Sequence, residues 1–376
     1  MARGRVRFPT LAFLRARLTR DRPVYVHFAL TTRCNLRCRS CVIWQREPAD
    51  ELGVAEIAEL AGVLADLGCI QVSLGGGEPA LREDLPEVVA AIQARGIRTR
   101  VLSNGVALTP AVARALLDAG LREVSFSLDS LRPEVQERRD DTPGVFERRL
   151  RNLVWLAEHL PARGMLPTLN TVVMPDNFRE LPELADLAAD IGFHASFIPI
   201  HLPPCSDVEH RFYGQAPELA FGPELGGELR AVFAELVRRK RQGAPIVNSS
   251  TFLERSPDYL LGGRAPWPCR AGQLFLSVSP QGKVAPCHAF EGSWEVDFRE
   301  LPDIWRTAEY RRQLAERVAG CEGCFRPCWA EISFLMLETR ALAEMARVQA
   351  RAKLRRRRVD TARVLRRAGL EAEAGR

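Results

Sequence analysis

The chain has 376 residues, 46% of them hydrophobic, and a formal net charge of +6. No run approaches the ~18 uninterrupted apolar residues of a membrane-spanning helix, and the arginine-rich N-terminus lacks an apolar core with a small-residue cleavage site. Neither a transmembrane segment nor a signal peptide is therefore expected. Ten cysteines fall mostly in C-x3-C and C-x2-C groups, an arrangement that suits metals in a reducing compartment better than disulfides, so a cytoplasmic location is expected.

Residues 23–30 (Pro-Val-Tyr-Val-His-Phe-Ala-Leu) read as a buried strand that runs into Thr31, Thr32 and the loop carrying Cys34, Cys38 and Cys41. A helix follows, with Val54, Ile57, Leu60, Ala61, Leu64 and Leu67 at helical spacing. Further strands are predicted at Ile70–Leu74, closed by Gly75-Gly76-Gly77-Glu78-Pro79, and at 97–102 before Ser103-Asn104-Gly105. Others are predicted at Glu123–Leu128 before Asp129-Ser130, at 166–174 and at 193–200. Helices fill the gaps near 84–95, from about 109 with Pro110 in the first turn, at 144–160 and at 178–191, where Gly192 stops the helix.

Six strand–helix units with no tandem strands imply a parallel sheet with helices outside, open or closed as a barrel. In either form the working face lies at the strand C-termini. The cysteines, Gly75–Pro79, Asn104, Asp129, Asn170 and Thr171 all fall there. Residues 201–268 lose the alternation and read as a Pro- and Gly-rich connector with a helix at about 226–241. Then come Cys269, a short strand pair around Gln273–Val278 and Lys283–Ala285, Cys287, a helix near 301–318, and Cys321, Cys324 and Cys328. One or two basic helices are predicted over 330–368.

Three thiols this close can wrap one face of an Fe–S cluster and leave one iron without a protein ligand, whereas zinc usually takes two separated pairs and closes all four positions. The later cysteines suit a structural zinc site or a second Fe–S cluster equally on spacing. His288 reads as a surface or packing residue and not a ligand, and Cys69 and Cys205 as isolated thiols. On its own, Gly75–Pro79 reads as a tight turn, and Asn104 or Asp129 equally as helix caps. A non-catalytic metal protein and a thiol–disulfide enzyme using Cys321 and Cys324 are the competing classes.

The four motifs in order, C-x3-C-x2-C, Gly-Gly-Glu-Pro, Ser-Asn-Gly and Ser127-Leu128-Asp129, resemble the radical S-adenosylmethionine (SAM) superfamily over about residues 23–200. The later cysteines are similar to its SPASM/twitch extension, whose opening signature has about nine to fifteen residues between cysteine and glycine. Cys269, Gly282 and Cys287 fit it with twelve and four intervening residues. The set lacks a final distant cysteine, which favours one auxiliary cluster over two. The resemblance implies an α/β fold: a partial (β/α)6 TIM-like barrel over 23–200, a connector at 201–268 and a small α+β twitch/SPASM-like cluster domain at 269–338. A basic arm at 1–22 and a basic helical tail at 339–376 flank them.

By position, the resemblance assigns Cys34, Cys38 and Cys41 to a 4Fe–4S cluster whose open iron is chelated by SAM. It assigns Gly76, Gly77 and Glu78 to the methionyl amino group, and Asn104, Ser127 and Asp129 to the ribose and backbone of SAM. Cys269, Cys287, Cys321, Cys324 and Cys328 become candidate ligands of one auxiliary 4Fe–4S cluster, one of the five being spare. Two departures stand out. Ser40 occupies a position that is often aromatic, and Gln136–Asp140 replaces the usual His-Asp and later Arg-Gly, with Arg139 the candidate for the missing carboxylate-binding arginine.

The expected activity is reductive cleavage of SAM to a 5′-deoxyadenosyl radical that abstracts hydrogen from a substrate, with a flavodoxin or ferredoxin as reducing partner. With little chain before residue 23 for a peptide-recognition domain, a small-molecule or lipid-precursor substrate is expected, the alternative being a peptide-modifying SPASM maturase. Residues 1–22 hold seven Arg against one Asp, and 351–367 nine Lys or Arg against one Asp. Such arms suit an anionic substrate or a membrane surface, or are simply solvated helix faces. No basic strand interleaved with aromatics supports RNA, so a nucleic-acid partner is not expected.

Overall fold

Strands whose side chains alternate between two faces need a cover on each apolar face, and here long amphipathic helices supply it. The computed structural model describes residues 10–19, 22–47, 50–201, 217–262, 267–321, 323–354 and 356–370. Among these residues nine strands form one sheet. Six of them pair in parallel and in chain order: β1 (Tyr25–Thr31), β2 (Gln71–Gly76), β3 (Arg98–Ser103), β4 (Glu123–Ser127), β5 (Thr168–Val173) and β6 (His194–Pro199). These are the six strands read from the sequence, and a helix makes every crossover, as parallel neighbours require. Beyond β1 lie β7 (Phe275–Val278), also parallel to it, and antiparallel β8 (Lys283–Ala285) and β9 (Val296–Asp297). The strand pair near the second cysteine group thus continues the same sheet, and Cys287 follows β8 back to the level of Tyr25, at the start of β1.

The outward face is a continuous core. Ile57, Leu60 and Leu64 of helix Val54–Leu67 and Val88, Val89 and Ile92 of helix Leu85–Ala94 pack with Val26, Phe28, Val72 and Leu74. The same core runs on under helices Phe146–His159 and Leu181–Asp190. Each such side chain contributes about 1.5–3 kcal/mol on burial, which fixes the barrel wall that carries the loops. Inward positions behave differently: His27, Arg100, Leu102, Ser127, Asn170 and Ile198 keep accessible surface. The strands therefore curve round a trough lined by both polar and apolar side chains.

Three helices were not expected: Thr10–Thr19, Pro133–Asp140 and Ser250–Leu260. Pro133–Asp140 has no apolar periodicity to announce it. Ser250–Leu260 is announced only by its Ser249 cap, whose hydroxyl accepts from Phe252 N at 3.1 Å. The helix expected near 301–318 breaks into Leu301–Ile304 and Ala308–Ala319, because Thr307 caps the second piece through Tyr310 N at 3.2 Å. Among the described residues the C-terminal stretch forms three helices, not one or two: Pro327–Leu337, Thr339–Leu354 and Thr361–Arg367. The last restarts at Asp360, which accepts from Arg363 N at 3.0 Å.

Much of the expected basic tail is used inside the molecule. Val364 and Leu365 are buried in the main core, and Arg367 pairs with Asp190 at 2.7 Å. The Arg357 guanidinium donates to Ile191 O at 3.1 Å and Leu160 O at 2.8 Å, capping the ends of two barrel helices. Among the described residues no helix is long and apolar enough to cross a membrane. Residues 1–9 of the N-terminal arm and Cys205 lie outside the described residues.

Candidate active site and cysteine centres

The first cysteine loop leaves the C-terminal end of β1 and is held from three sides. Leu36 is buried with Val106 and Val145, and the Cys34 and Cys38 side chains pack round this small core. Cys41 N donates to Cys38 O at 3.0 Å, a turn that brings the third thiol back toward the first two. Burial pushes the Cys34 thiol up to about 11 and the Cys38 and Cys41 thiols above their ordinary value. Cys34 and Cys38 each also feel Cys41, so the three sulfurs are electrostatic neighbours. Among the described residues no three His, Cys, Asp or Glu side chains enclose a common point. The loop fits an Fe–S cluster by its donor chemistry and by the grouping of its thiols, without a closed cage. Ser40 leaves no aromatic at its own position, but Trp44 lies against the loop and donates to Cys38 O at 3.4 Å.

The glycine turn sits beside this loop for a steric reason. Gly77 N donates to Thr31 O at 2.7 Å and Glu78 N to Arg33 O at 2.8 Å, so the exit of β2 is hydrogen-bonded to the entry of the cysteine loop. A Cβ on Gly76, where φ is +100°, would lie 2.4 Å from Thr31 O, and one on Gly77 would lie 2.1 Å from Arg33 O. The glycines permit a close approach of two backbones before any ligand arrives.

Glu78 is fully buried. Its carboxylate accepts from Ala80 N at 3.0 Å, Ser103 Oγ at 2.9 Å and Asn104 N at 2.7 Å. Burial raises its pKa, while these donors and the Arg149 charge hold it down. Asn104 turns its side-chain amide toward the cysteine loop, donating to Asn35 Oδ1 at 2.8 Å and lying 3.9 Å from Cys34 Sγ. Ser127 ends β4 on the inward face opposite Asn170. Asp129 follows it, accepts from Val172 N at 2.7 Å and lies 3.7 Å from Arg139. Burial raises the Asp129 pKa and Arg139 opposes the rise. Cys34, Cys38, Gly77, Glu78 and Asn104 are thereby brought into one constellation, with Asp129 and Ser127 at its next strand end.

What sequence reasoning missed is helix Pro133–Asp140. Gln136 Oε1 accepts from Asp129 N at 2.7 Å and Ser130 N at 3.0 Å, and Gln136 Nε2 donates to Asp140 Oδ2 at 3.1 Å. Arg139 donates to Val172 O at 3.2 Å and lies 3.5 Å from Asp176. The carbonyls of Arg139 and Asp140 receive Arg39 N and Arg37 N at 3.0 and 3.2 Å, tying this helix to the cysteine loop. The only sequence cue was Pro133 in the first turn; that Gln136, Arg139 and Asp140 are all at most 5% exposed is visible only in the structure.

The second group gathers at the opposite end of β1. Burial pushes Cys269 up to about 12 and Cys287 well above its ordinary value, and both feel Cys321 and Cys324 as neighbouring thiols. Cys328 is also pushed up to about 12 by burial, but Arg326 and Cys324 are its charged neighbours. His288, expected as a surface or packing residue, takes the packing role: it is buried against Trp329 and bonded to Glu291 at 2.7 Å.

Residues 28–188 match the Radical SAM superfamily. The chain is 30% identical over 296 residues to a PqqA peptide cyclase of Rhizobium meliloti (strain 1021), covering 75% of this chain and 73% of the relative. It is 31% identical over 317 residues to a PqqA peptide cyclase of Xanthomonas campestris pv. campestris (strain B100), covering 80% and 79%. In fold it is similar to Streptococcus suis SuiB bound to S-adenosylmethionine, with a TM-score of 0.61 at 15% identity over 85% of this chain and 76% of that one.

Proposed function

This chain belongs to the radical SAM superfamily, and from that membership we propose that it is a peptide-modifying radical SAM enzyme. The observation that carries the peptide reading is the likeness to relatives named PqqA peptide cyclases along about three quarters of both chains. It displaces the small-molecule or lipid-precursor substrate expected from the sequence. That expectation leaned on the short stretch before residue 23, yet an extended peptide needs no separate domain when a trough or sheet edge is available.

Cys34, Cys38 and Cys41 hold a 4Fe–4S cluster in this reading. The Gly76 and Gly77 backbone and Glu78 meet the methionyl group of SAM; Asn104, Ser127 and Asp129 meet its ribose and backbone. When bound, the cluster supplies the electron that cleaves SAM to a 5′-deoxyadenosyl radical, which takes a hydrogen atom from the substrate. The protein's own task is positioning and exclusion of water. Leu102 and Ile198 place apolar surface on the inward face, and the buried carboxylates lock the strand ends together. Cys269, Cys287, Cys321 and Cys324 form the auxiliary 4Fe–4S site, since each of the first two has both of the others as neighbours, and Cys328 is the spare thiol. A flavodoxin or ferredoxin serves as reductant.

The test is 5′-deoxyadenosine formation from SAM under anaerobic reduction, by wild type and by Cys34→Ala, Cys38→Ala and Cys41→Ala variants. Turnover confined to wild type, and accelerated by a precursor peptide, supports the reading. No product from an iron-replete wild type sinks it.

A further inference from the structure

Arg149, on helix Phe146–His159, is 1% exposed and has no role in the reading above. A guanidinium this deep is costly unless it is paired, and its partners are the loops of the candidate site. Nε donates to Asn104 O at 2.8 Å. Nη1 lies 2.7 Å from Asp140 Oδ2 but off the N–H axis, an ion contact without an aligned hydrogen bond. The same positive charge stabilises the carboxylates of Glu78, Asp129 and Glu137. One cation thus sits beneath the exits of β2, β3 and β4.

Asp140 carries the influence onward. Its other oxygen lies 3.8 Å from Cys38 Sγ, and its carbonyl accepts from Arg37 N at 3.2 Å. The cysteine loop therefore rests on the C-terminal end of helix Pro133–Asp140, and Arg149 fixes that end against Asn104. We propose that Arg149 is a positioning residue that sets the cluster loop and the cofactor loops in common register, through Asp140 on one side and Asn104 on the other. The inference rests on the reading that Cys34, Cys38 and Cys41 hold the cluster. A residue that only filled the core would leave the cluster's own properties unchanged once the chain had folded, and that difference is measurable.

The experiment uses full-length wild type, Arg149→Met, Arg149→Lys, Asp140→Asn and Cys38→Ala, reconstituted anaerobically. Iron affinity and the electron paramagnetic resonance spectrum of the reduced protein are recorded with and without SAM, and circular dichroism checks the fold. The Cys38→Ala spectrum isolates the signal of the first loop from that of the second cysteine group. Loss of a partner that orients a metal ligand typically costs about 10–100-fold in metal affinity. Arg149→Met is expected to lose that much at the first loop and to lose the SAM-induced spectral change. Arg149→Lys, which keeps the charge, recovers most of both. Asp140→Asn, nearly isosteric, shifts the spectrum in the same sense as Arg149→Met. If Arg149→Met does not fold, the decision falls on the Asp140→Asn spectra. A folded Arg149→Met or, where that variant does not fold, a folded Asp140→Asn with wild-type iron affinity and wild-type spectra in both conditions overturns the proposal. Identical spectra from wild type and Cys38→Ala instead overturn the cluster assignment on which it rests.

Discussion

Substituting Glu78 separates scaffolding from chemistry at the glycine turn. Its carboxylate is 0% exposed and accepts three hydrogen bonds, from Ala80 N, Ser103 Oγ and Asn104 N. A buried donor left without an acceptor costs about 1–3 kcal/mol. Glu78→Gln keeps the shape but turns an amide toward one of the three donors, so it should lose about 1–3 kcal/mol of stability. Glu78→Ala strands all three, an additive ceiling of roughly 3–9 kcal/mol, lowered to the extent that water enters the space. The assay is urea unfolding of the metal-free, reduced chain, with SAM affinity of the reconstituted protein measured in parallel. The expected order is wild type, then Gln, then Ala, in the absence of any cofactor. An alanine variant that unfolds within about 0.5 kcal/mol of wild type, below the cost of even one stranded donor, would refute the claim that this carboxylate is a strut of the fold.

Three other outcomes follow from the geometry. Anaerobic reconstitution should load about eight irons per chain, four for each cluster; Cys269→Ala, Cys287→Ala, Cys321→Ala or Cys324→Ala should lower iron content toward four, and Cys328→Ala should leave it unchanged. Gly77→Ala places a Cβ 2.1 Å from Arg33 O, a backbone clash that should cost about 1–3 kcal/mol and weaken SAM binding with it, both read on the same samples. Burial pushes the Glu331 carboxyl from its ordinary 4.5 up to about 7, against the opposing pull of the Ser249 N–H and Lys240. Between those values the unfolded chain has released a proton that the folded chain still holds, so this group's contribution is full below 4.5 and lost as pH rises through about 7. Glu331→Gln should flatten that part of the thermal-stability profile and raise the melting temperature above pH 7; an unchanged slope would count against it.

The barrel was legible because a parallel strand buried on one face by helices leaves a simple mark: short apolar runs alternating with helical periodicity. Six strands and most of the intervening helices read that way. The two elements missed nearest the site carry no such mark. Pro133–Asp140 is Pro-Glu-Val-Gln-Glu-Arg-Arg-Asp, and it buries polar groups because the strand-end loops supply their partners. Ser250–Leu260 contains Pro257 and sits in a stretch whose composition reads as connector. At the site, residue types and spacing located the thiols and the glycine turn correctly on the strand ends. They could not say that Glu78 is saturated by the next loop, since its donors are backbone N–H groups and one serine, which have no pattern in a sequence.

That saturation also bears on why the motif residues and the departure from the motif belong together. Glu78 links the exit of β2 to that of β3, and Asp129 links the exit of β4 to Val172 on β5. Each carboxylate takes a backbone N–H from the neighbouring strand end, which keeps the rim of an open trough from splaying. The segment Gln136–Asp140 differs in residue type from what the resemblance led one to expect, yet it performs the same kind of stitching, through Gln136 on the Asp129 loop and main-chain carbonyls on the cysteine loop. A carbonyl is supplied by any residue, so the clamp on the cysteine loop tolerates a change of side chains that the side-chain contacts do not. The Asp140 side chain, which lies between Cys38 Sγ at 3.8 Å and the Arg149 guanidinium at 2.7 Å, is the part of that segment where the residue type matters to the cysteine loop.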